Sequence, residues 1–292
     1  MMEIQIKKDG ILIKSPYFDI KKTLTCGQIF RYRIFDESTF GCIAGDKSFL
    51  AIQEAGETFF PHISEKDFFS YWYNFFDLNL DLEKVESTFP KYKYLKKSIM
   101  VSRGIRILRQ SLWESLISFI ISSNNHIPRI QKCIEIICQN YGRKIRTSWG
   151  EEYAFPTPEE LAMANKDFYR EIAKVGYRDN YLYRAVHKIL EKEIDLTAIE
   201  NLPYKDAKKA LKEIPGIGEK VANCILVFGC GHLEAFPVDT WIKKAIEELE
   251  KEKPFSIEEV GPYGGYIFNN IFFTIQKTVK VIILTNKFNK NY

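Results

Sequence analysis

The sequence predicts an α+β protein, an N-terminal antiparallel β-sheet domain followed by an all-helical body, on three observations. Up to about residue 95 the apolar residues fall in short, often alternating runs separated by turn residues, the pattern of half-buried antiparallel strands. From Ile107 the apolar spacing becomes helical, and several such segments follow one another. Between Leu211 and Leu249 two helical stretches flank Pro215-Gly216-Ile217-Gly218. No helix runs through that tetrad, because proline lacks a donor and glycine accepts positive φ.

In chain order, Ile4-Gln5-Ile6, Ile11-Leu12-Ile13, Phe30 to Ile34, Gly41 to Ala44 and Phe49 to Ile52 are the candidate strands. Asp9-Gly10 and Gly45-Asp46 are the turn signals between them, and Thr25 to Arg31 joins two strand-like runs. An aromatic-rich helical stretch, Lys66 to Phe76, closes this first domain, 1–95. In the body, 96–266, Leu116, Ile117, Ile120 and Ile121 mark one helix, and Ile130, Cys133, Ile134 and Ile137 another. Pro- and Gly-containing connections such as Phe155-Pro156-Thr157-Pro158 join the helices. The tail, 267–292, is atypical: Val279-Lys280-Val281-Ile282-Ile283-Leu284 reads as strand rather than amphipathic helix.

At 292 residues the chain is long enough for a substantial core. Its 46% hydrophobic and 27% charged residues are an ordinary globular balance. The net charge is only +4, so a nucleic-acid surface has to come from local clustering. The N-terminus lacks the apolar core of a signal peptide, and no apolar run reaches membrane-spanning length. An intracellular protein with no membrane partner is expected. The six cysteines form no CxxC, which favours reduced thiols over disulfides or zinc. His62, His126, His187 and His232 show no ligand spacing; neither a metal site nor a cofactor is expected.

The hairpin carries the chemistry. A tight turn opening onto a helix start presents unpaired backbone N–H groups and a positive helix end, a phosphate-binding device; here it comprises Gly216, Gly218 and Val221. Lys220 heads a helix in which Val221 to Phe228 include one polar side chain, Asn223. A helix apolar on nearly all sides is normally buried. A lysine at its head is then disfavoured as an ammonium and favoured as a nucleophilic amine. Further on, Pro237-Val238-Asp239 precedes a new helix, where Asp239 is an N-cap, a catalytic carboxylate, or both. An arbitrary lysine and aspartate would be a surface charge and a plain cap; the hairpin context reverses that preference.

The pattern L-x-x-I-P-G-I-G-x-K-V-A followed by P-V-D resembles the helix-hairpin-helix superfamily of DNA base-excision glycosylases. Thr25-Cys26-Gly27-Gln28-Ile29-Phe30-Arg31, Ser122-Ser123-Asn124-Asn125 with Arg129, and Val175-Gly176-Tyr177-Arg178 narrow the resemblance to the 8-oxoguanine DNA glycosylase branch. Similar segments run in order from Gly27 to Tyr266. No four-cysteine cluster follows Asp239, which disfavours the iron–sulfur branches. The resemblance implies Lys220 as nucleophile and Asp239 as its catalytic partner. It makes Gly27 the lesion reader, its carbonyl accepting the N7 hydrogen that guanine lacks. It has Asn124 fill the hole left by the extruded base, Arg129 and Arg178 read the estranged cytosine, and Tyr177 wedge between base pairs. Cys224, one turn after Lys220 and on its face, and Phe272 would line the lesion pocket. A small core residue is an equal reading for Cys224. Trp241 stands where the family often has a phosphate-binding histidine.

One segment departs from the family. Gly261-Pro262-Tyr263-Gly264-Gly265-Tyr266 matches its G-P-Y-A-G-W/Y, but Phe268 stands where a glutamine is expected against the damaged base. One permitted coding of Ile267 to Gln276, read from its third base, gives I-Q-Q-Y-F-F-Y-Y-S, a family-like ending. A reading-frame change near Tyr266–Ile267 is therefore expected.

The implied activity is a bifunctional DNA N-glycosylase/AP lyase, excising 8-oxoguanine opposite cytosine from duplex DNA through a lysine Schiff base and β-elimination. The protein is expected to act as a monomer with the chromosome, in the nucleoid or the nucleus. The alternative is a non-catalytic or inactivated helix-hairpin-helix DNA-binding protein.

Overall fold

The computed structural model describes residues 2–288. Its first part is a six-stranded sheet: β1 (Glu3–Lys7), β2 (Gly10–Lys14), β3 (Tyr32–Ile34), β4 (Thr39–Ala44), β5 (Lys47–Glu54) and β6 (Glu57–Pro61), ordered β1-β2-β6-β5-β4-β3. Every pairing in it is antiparallel. Two-residue loops set the register. Ala44 pairs with Lys47 across Gly45-Asp46, and Glu54 with Glu57 across Ala55-Gly56. Ala55 and Gly56 both take positive φ, the geometry whose twist matches the flanking strands. Strand β6, Glu-Thr-Phe-Phe-Pro, went unforeseen because it ends in proline and follows a turn with a weak signal.

The alternation predicted for the strands is realised as a buried face. Ile11, Ile13, Phe40, Cys42, Phe49, Ala51 and Phe60 are all almost completely buried, against helical turns running from Glu65 to Phe75 with a π-helical segment at Phe68–Trp72. Aromatic rings carry the contact: Phe49 meets Trp72 edge-on at 4.9 Å and Phe60 meets Phe76 at a tilt at 5.5 Å between ring centroids. This sheet core takes in Ile11 to Leu78 together with Leu108, and residues from Leu82 onward join the helical core.

One local expectation needs correction. The Thr25–Arg31 stretch joins a helix, not a strand, to β3. Ile20–Thr25 is helical, with Asp19 capping it by accepting from Lys22 N at 2.9 Å. Ile20, Thr23 and Leu24 supply the buried i, i+3, i+4 face.

The helical body is arranged around Glu219–Gly229, whose residues from Val221 on are all buried. It lies against Leu112–Ser122 at such close range that a Cβ on Gly229 would fall 3.1 Å from Leu112 Cα. Phe228 stacks on Phe119 at 5.4 Å. A second correction concerns the tail. Gly264–Phe288 is one helix, so the run from Val279 to Leu284 is helical rather than strand-like. The β-branched penalty is a few tenths of a kcal/mol per residue, and extending an existing helix avoids the nucleation cost. Residues 289–292 of the tail lie outside the described residues.

Candidate active site

A cleft of about 620 Å³ opens between the hairpin, the Ser122–Asn125 turn and the tail helix, lined among others by Gly27, Asn124, Gly216, Gly218, Lys220, Asp239, Trp241 and Phe272. A smaller cavity beside Arg33 and Glu135 holds only about 30 Å³ and none of the hairpin residues.

The hairpin wall follows from local chemistry. Gly216 has φ +88°, and a Cβ there would lie 2.7 Å from the ring of Tyr181, so conformation and space both require glycine. Gly218 precedes the helix Glu219–Gly229, and no side chain caps it. The amides of that first turn are left for another acceptor. On the outer side Glu219 bridges Lys208 at 2.8 Å and Lys212 at 3.0 Å, tying this helix to Tyr204–Lys212.

Lys220 is half-buried, not buried as its helix suggested. The apolar face begins at Val221, one residue later, and the lysine side chain reaches into the cleft. Cys224 lies one turn below it, fully buried. Burial pushes the Cys224 thiol up, while the Lys220 charge and a side-chain hydrogen bond with Lys220 pull it down; Asp239 pushes it up again. Lys220 and Asp239, which both line the cleft, thus both act on the Cys224 thiol. Asp239 caps Thr240–Glu250, its Oδ1 accepting from Trp241 N at 2.9 Å and Ile242 N at 2.8 Å. One carboxylate oxygen thus fixes the group while the side chain still lines the cleft.

Opposite stands Gly27, with φ +89° and Phe272 Cε1 3.1 Å from where a Cβ would be. Its neighbour Gln28 was not assigned a role from sequence. Completely buried, Gln28 donates to Thr23 O at 2.9 Å and Arg106 O at 2.8 Å, and accepts from Leu108 N at 2.9 Å. It is the staple that holds the Gly27 turn in place. Arg31 donates to Gly45 O at 3.2 Å and to Tyr153 O, and faces the buried Glu114 at 3.8 Å. It joins sheet to body.

Phe268 is buried and stacks on Phe272 at 5.5 Å. That turn of the tail helix therefore presents rings where an amide was expected. Beyond it, Gln276 Nε2 lies 3.5 Å from the Cβ position of Gly27. Next to Phe268, Asn269 is buried with neither amide atom partnered.

On the third side, Asn124 is exposed with φ +49°, and Tyr177 is 53% exposed. Arg129 is exposed and donates to Lys174 O at 3.3 Å. Arg178, expected as a second edge reader, is buried and hydrogen-bonded to the carbonyls of Ser123, Asn124 and Val175. Trp241 is 41% exposed, with Lys244 Nζ 5.2 Å over its ring.

Fold and cleft define a class: a helix-hairpin-helix protein presenting a lysine beside a glycine turn whose helix start is uncapped. Residues 11–116 match the family model described as 8-oxoguanine DNA glycosylase, N-terminal domain. The 8-oxoguanine glycosylase/lyase of Clostridium acetobutylicum, solved with double-stranded DNA containing cytosine opposite 8-oxoG, superposes with a TM-score of 0.88. It shares 33% identity over 95% of this chain and 98% of that one. A probable N-glycosylase/DNA lyase of Methanothermobacter thermautotrophicus is 32% identical over 62% of this chain and 64% of its own length. The N-glycosylase/DNA lyase of Saccharomyces cerevisiae is 37% identical over 49% of this chain and 41% of its own. The chain thus spans less than two thirds of these curated relatives. The chain belongs to the 8-oxoguanine DNA glycosylase family of helix-hairpin-helix proteins.

Proposed function

We propose that this chain is a bifunctional DNA N-glycosylase/AP lyase that removes 8-oxoguanine opposite cytosine from duplex DNA. The observation that supports it best is the convergence of Lys220, Asp239, Gly27 and Phe272 on one cleft. The glycosidic carbon is inaccessible inside a duplex, so the base leaves the stack first. The hairpin at Gly216 and Gly218 holds a phosphate, Asn124 and Tyr177 occupy the gap, and Arg129 meets the estranged cytosine. Gly27 offers its carbonyl to the lesion N7–H. The Lys220 amine attacks C1′ as the base departs with the glycosidic electron pair and takes up a proton. Asp239 stabilises the positive charge that develops at sugar and amine. Ring opening gives the imine, which acidifies the neighbouring carbon and drives loss of the 3′ phosphate. The chain acts as a monomer on chromosomal DNA in this reading.

Borohydride trapping on an 8-oxoguanine·cytosine duplex tests the reading. The native chain is expected to form a covalent adduct, and Lys220→Gln to lose it while still binding the duplex. Turnover by Lys220→Gln would overturn the assignment.

A second reading has its own support: a chain that binds DNA but excises poorly. It rests on Phe268, which places a stacked ring where a base-edge amide belongs. A changed reading frame near Tyr266–Ile267 would account for that ring, since one permitted coding of Ile267 to Gln276 gives I-Q-Q-Y-F-F when read from its third base. Resequencing the gene across this point, and finding no frame that encodes Q-Q-Y-F-F, would refute the frame change. Efficient, lesion-selective excision by this chain would refute the second reading itself.

A further inference from the structure

Glu219 places a negative charge where phosphate binding is disfavoured by one. It is the first residue of the helix that follows the hairpin, and it lines the cleft with Gly216, Gly218 and Lys220. That helix start carries no side-chain cap, and its first backbone bond runs from Ala222 N to Gly218 O at 2.9 Å. The amides of Glu219, Lys220 and Val221 therefore have no carbonyl of their own helix to meet. A carboxylate in the first turn is drawn to such amides and to the positive helix end, as a phosphate is. Left free, Glu219 would compete with DNA for the hairpin.

Two lysines restrain it. Lys208 Nζ donates to Glu219 Oε1 at 2.8 Å and Lys212 Nζ to Oε2 at 3.0 Å, so each oxygen is taken by a different ammonium. These bonds hold the Glu219 carboxyl below its usual range. Neither lysine lines the cleft; both stand on the helix Tyr204–Lys212, one turn apart. Lys208 is itself held. Its Nζ also donates to the Tyr204 hydroxyl at 3.3 Å and lies 4.9 Å from the centre of that ring. The hydroxyl in turn donates to Oδ1 of the buried Asn223 at 2.8 Å. One turn of the hairpin helix, from Glu219 to Asn223, thus meets one turn of its neighbour, from Tyr204 to Lys208. The Glu219 side chain is 57% exposed, and ion pairs so exposed add little to stability. The arrangement serves the cleft rather than the fold.

We propose that Lys208 and Lys212 are positioning residues that keep the Glu219 carboxylate off the hairpin amides, so that a DNA phosphate meets those amides without a competing anion. The proposal rests on the phosphate-binding reading of the hairpin given above. Two basic residues thereby raise affinity for DNA through an acidic one, and neither has to touch a phosphate.

The test is a double-mutant cycle on affinity for an 8-oxoguanine·cytosine duplex, measured over a range of salt concentrations. Lys208→Met combined with Lys212→Met frees Glu219 and is expected to weaken binding on the order of tenfold, as for a carboxylate brought against a phosphate. In the Glu219→Gln background the same pair of substitutions should cost only about twofold, the general effect of lost positive charge. Glu219→Gln alone should bind at least as tightly as the native chain. Lys208→Arg combined with Lys212→Arg, which keeps both cations, should bind like it. The excision rate at saturating protein and the melting temperature should hold, because the reacting groups and the core are untouched. An equal or larger loss in the Glu219→Gln background would mean that the lysines contact phosphates themselves, and would overturn the proposal. So would a salt slope that falls in that background by about one for each lysine removed. A native chain that does not bind the duplex would instead refute the phosphate-binding reading of the hairpin.

Discussion

The two walls of the cleft are built on different terms. On the hairpin wall every special residue has a local cause. Gly216 takes a positive φ and leaves room for the Tyr181 ring, Gly218 opens the helix, and Asp239 caps the next one through two hydrogen bonds. On the tail helix behind Phe272, Asn269 is buried with both amide atoms unpartnered by described residues, Asn270 is held by Ser102 at 2.8 Å, and Phe268 stacks where an amide was expected. The hairpin wall is thus held by satisfied local motifs, whereas the helix behind the tail wall carries a stranded amide.

Substitutions at Asp239 should give the largest effect, because there one side chain serves structure and chemistry together. Asp239→Asn preserves the cap oxygen but removes the charge, so melting should hold while excision falls on the order of a hundredfold to a thousandfold. Asp239→Ala should lose the same activity and, in addition, about 1 kcal/mol of stability. Near-native excision by Asp239→Asn would reduce the residue to a cap and break the contrast between the walls.

The tail wall makes the opposite prediction for stability. Removing a buried, unpartnered amide relieves a desolvation cost of about 1–3 kcal/mol. Asn269→Leu, close in volume, should therefore raise the melting temperature without altering trapping by Lys220. A lower melting temperature would mean that Asn269 has a partner, such as a buried water.

The smallest expected effect belongs to Phe268→Gln. It sacrifices a stacked ring and some packing, so stability should drop. The ratio of excision from 8-oxoguanine over undamaged guanine should nevertheless rise. An unchanged ratio would direct attention to Gln276, already beside Gly27.

Much of this was legible because it is local. The strands Glu3–Lys7, Gly10–Lys14, Thr39–Ala44 and Lys47–Glu54 follow from alternation and turn residues. The hairpin follows from two glycines and a proline. Lys220, Asp239, Gly27 and Asn124 were named from motifs, and the structure brings them to one cleft. Other features were not legible, for specific reasons. The helix Ile20–Thr25 is too short for its period to stand out. Lys220 emerges half-buried because apolar spacing tells which helix is buried, not at which residue the burial begins.

The sequence by itself therefore determined the α+β organisation, the hairpin with its lysine and the aspartate cap. All of these depend on residues a few positions apart, where backbone sterics and helix periodicity decide. Only the tertiary structure decided that Gln28 staples the Gly27 turn, that Arg178 faces inward to bind Ser123 and Asn124, and that Asn269 is stranded. Each depends on which carbonyls and donors distant segments bring within about 3 Å of a buried group. A desolvated polar side chain must take whatever partner packing supplies, and the order of residues along the chain does not say which that is.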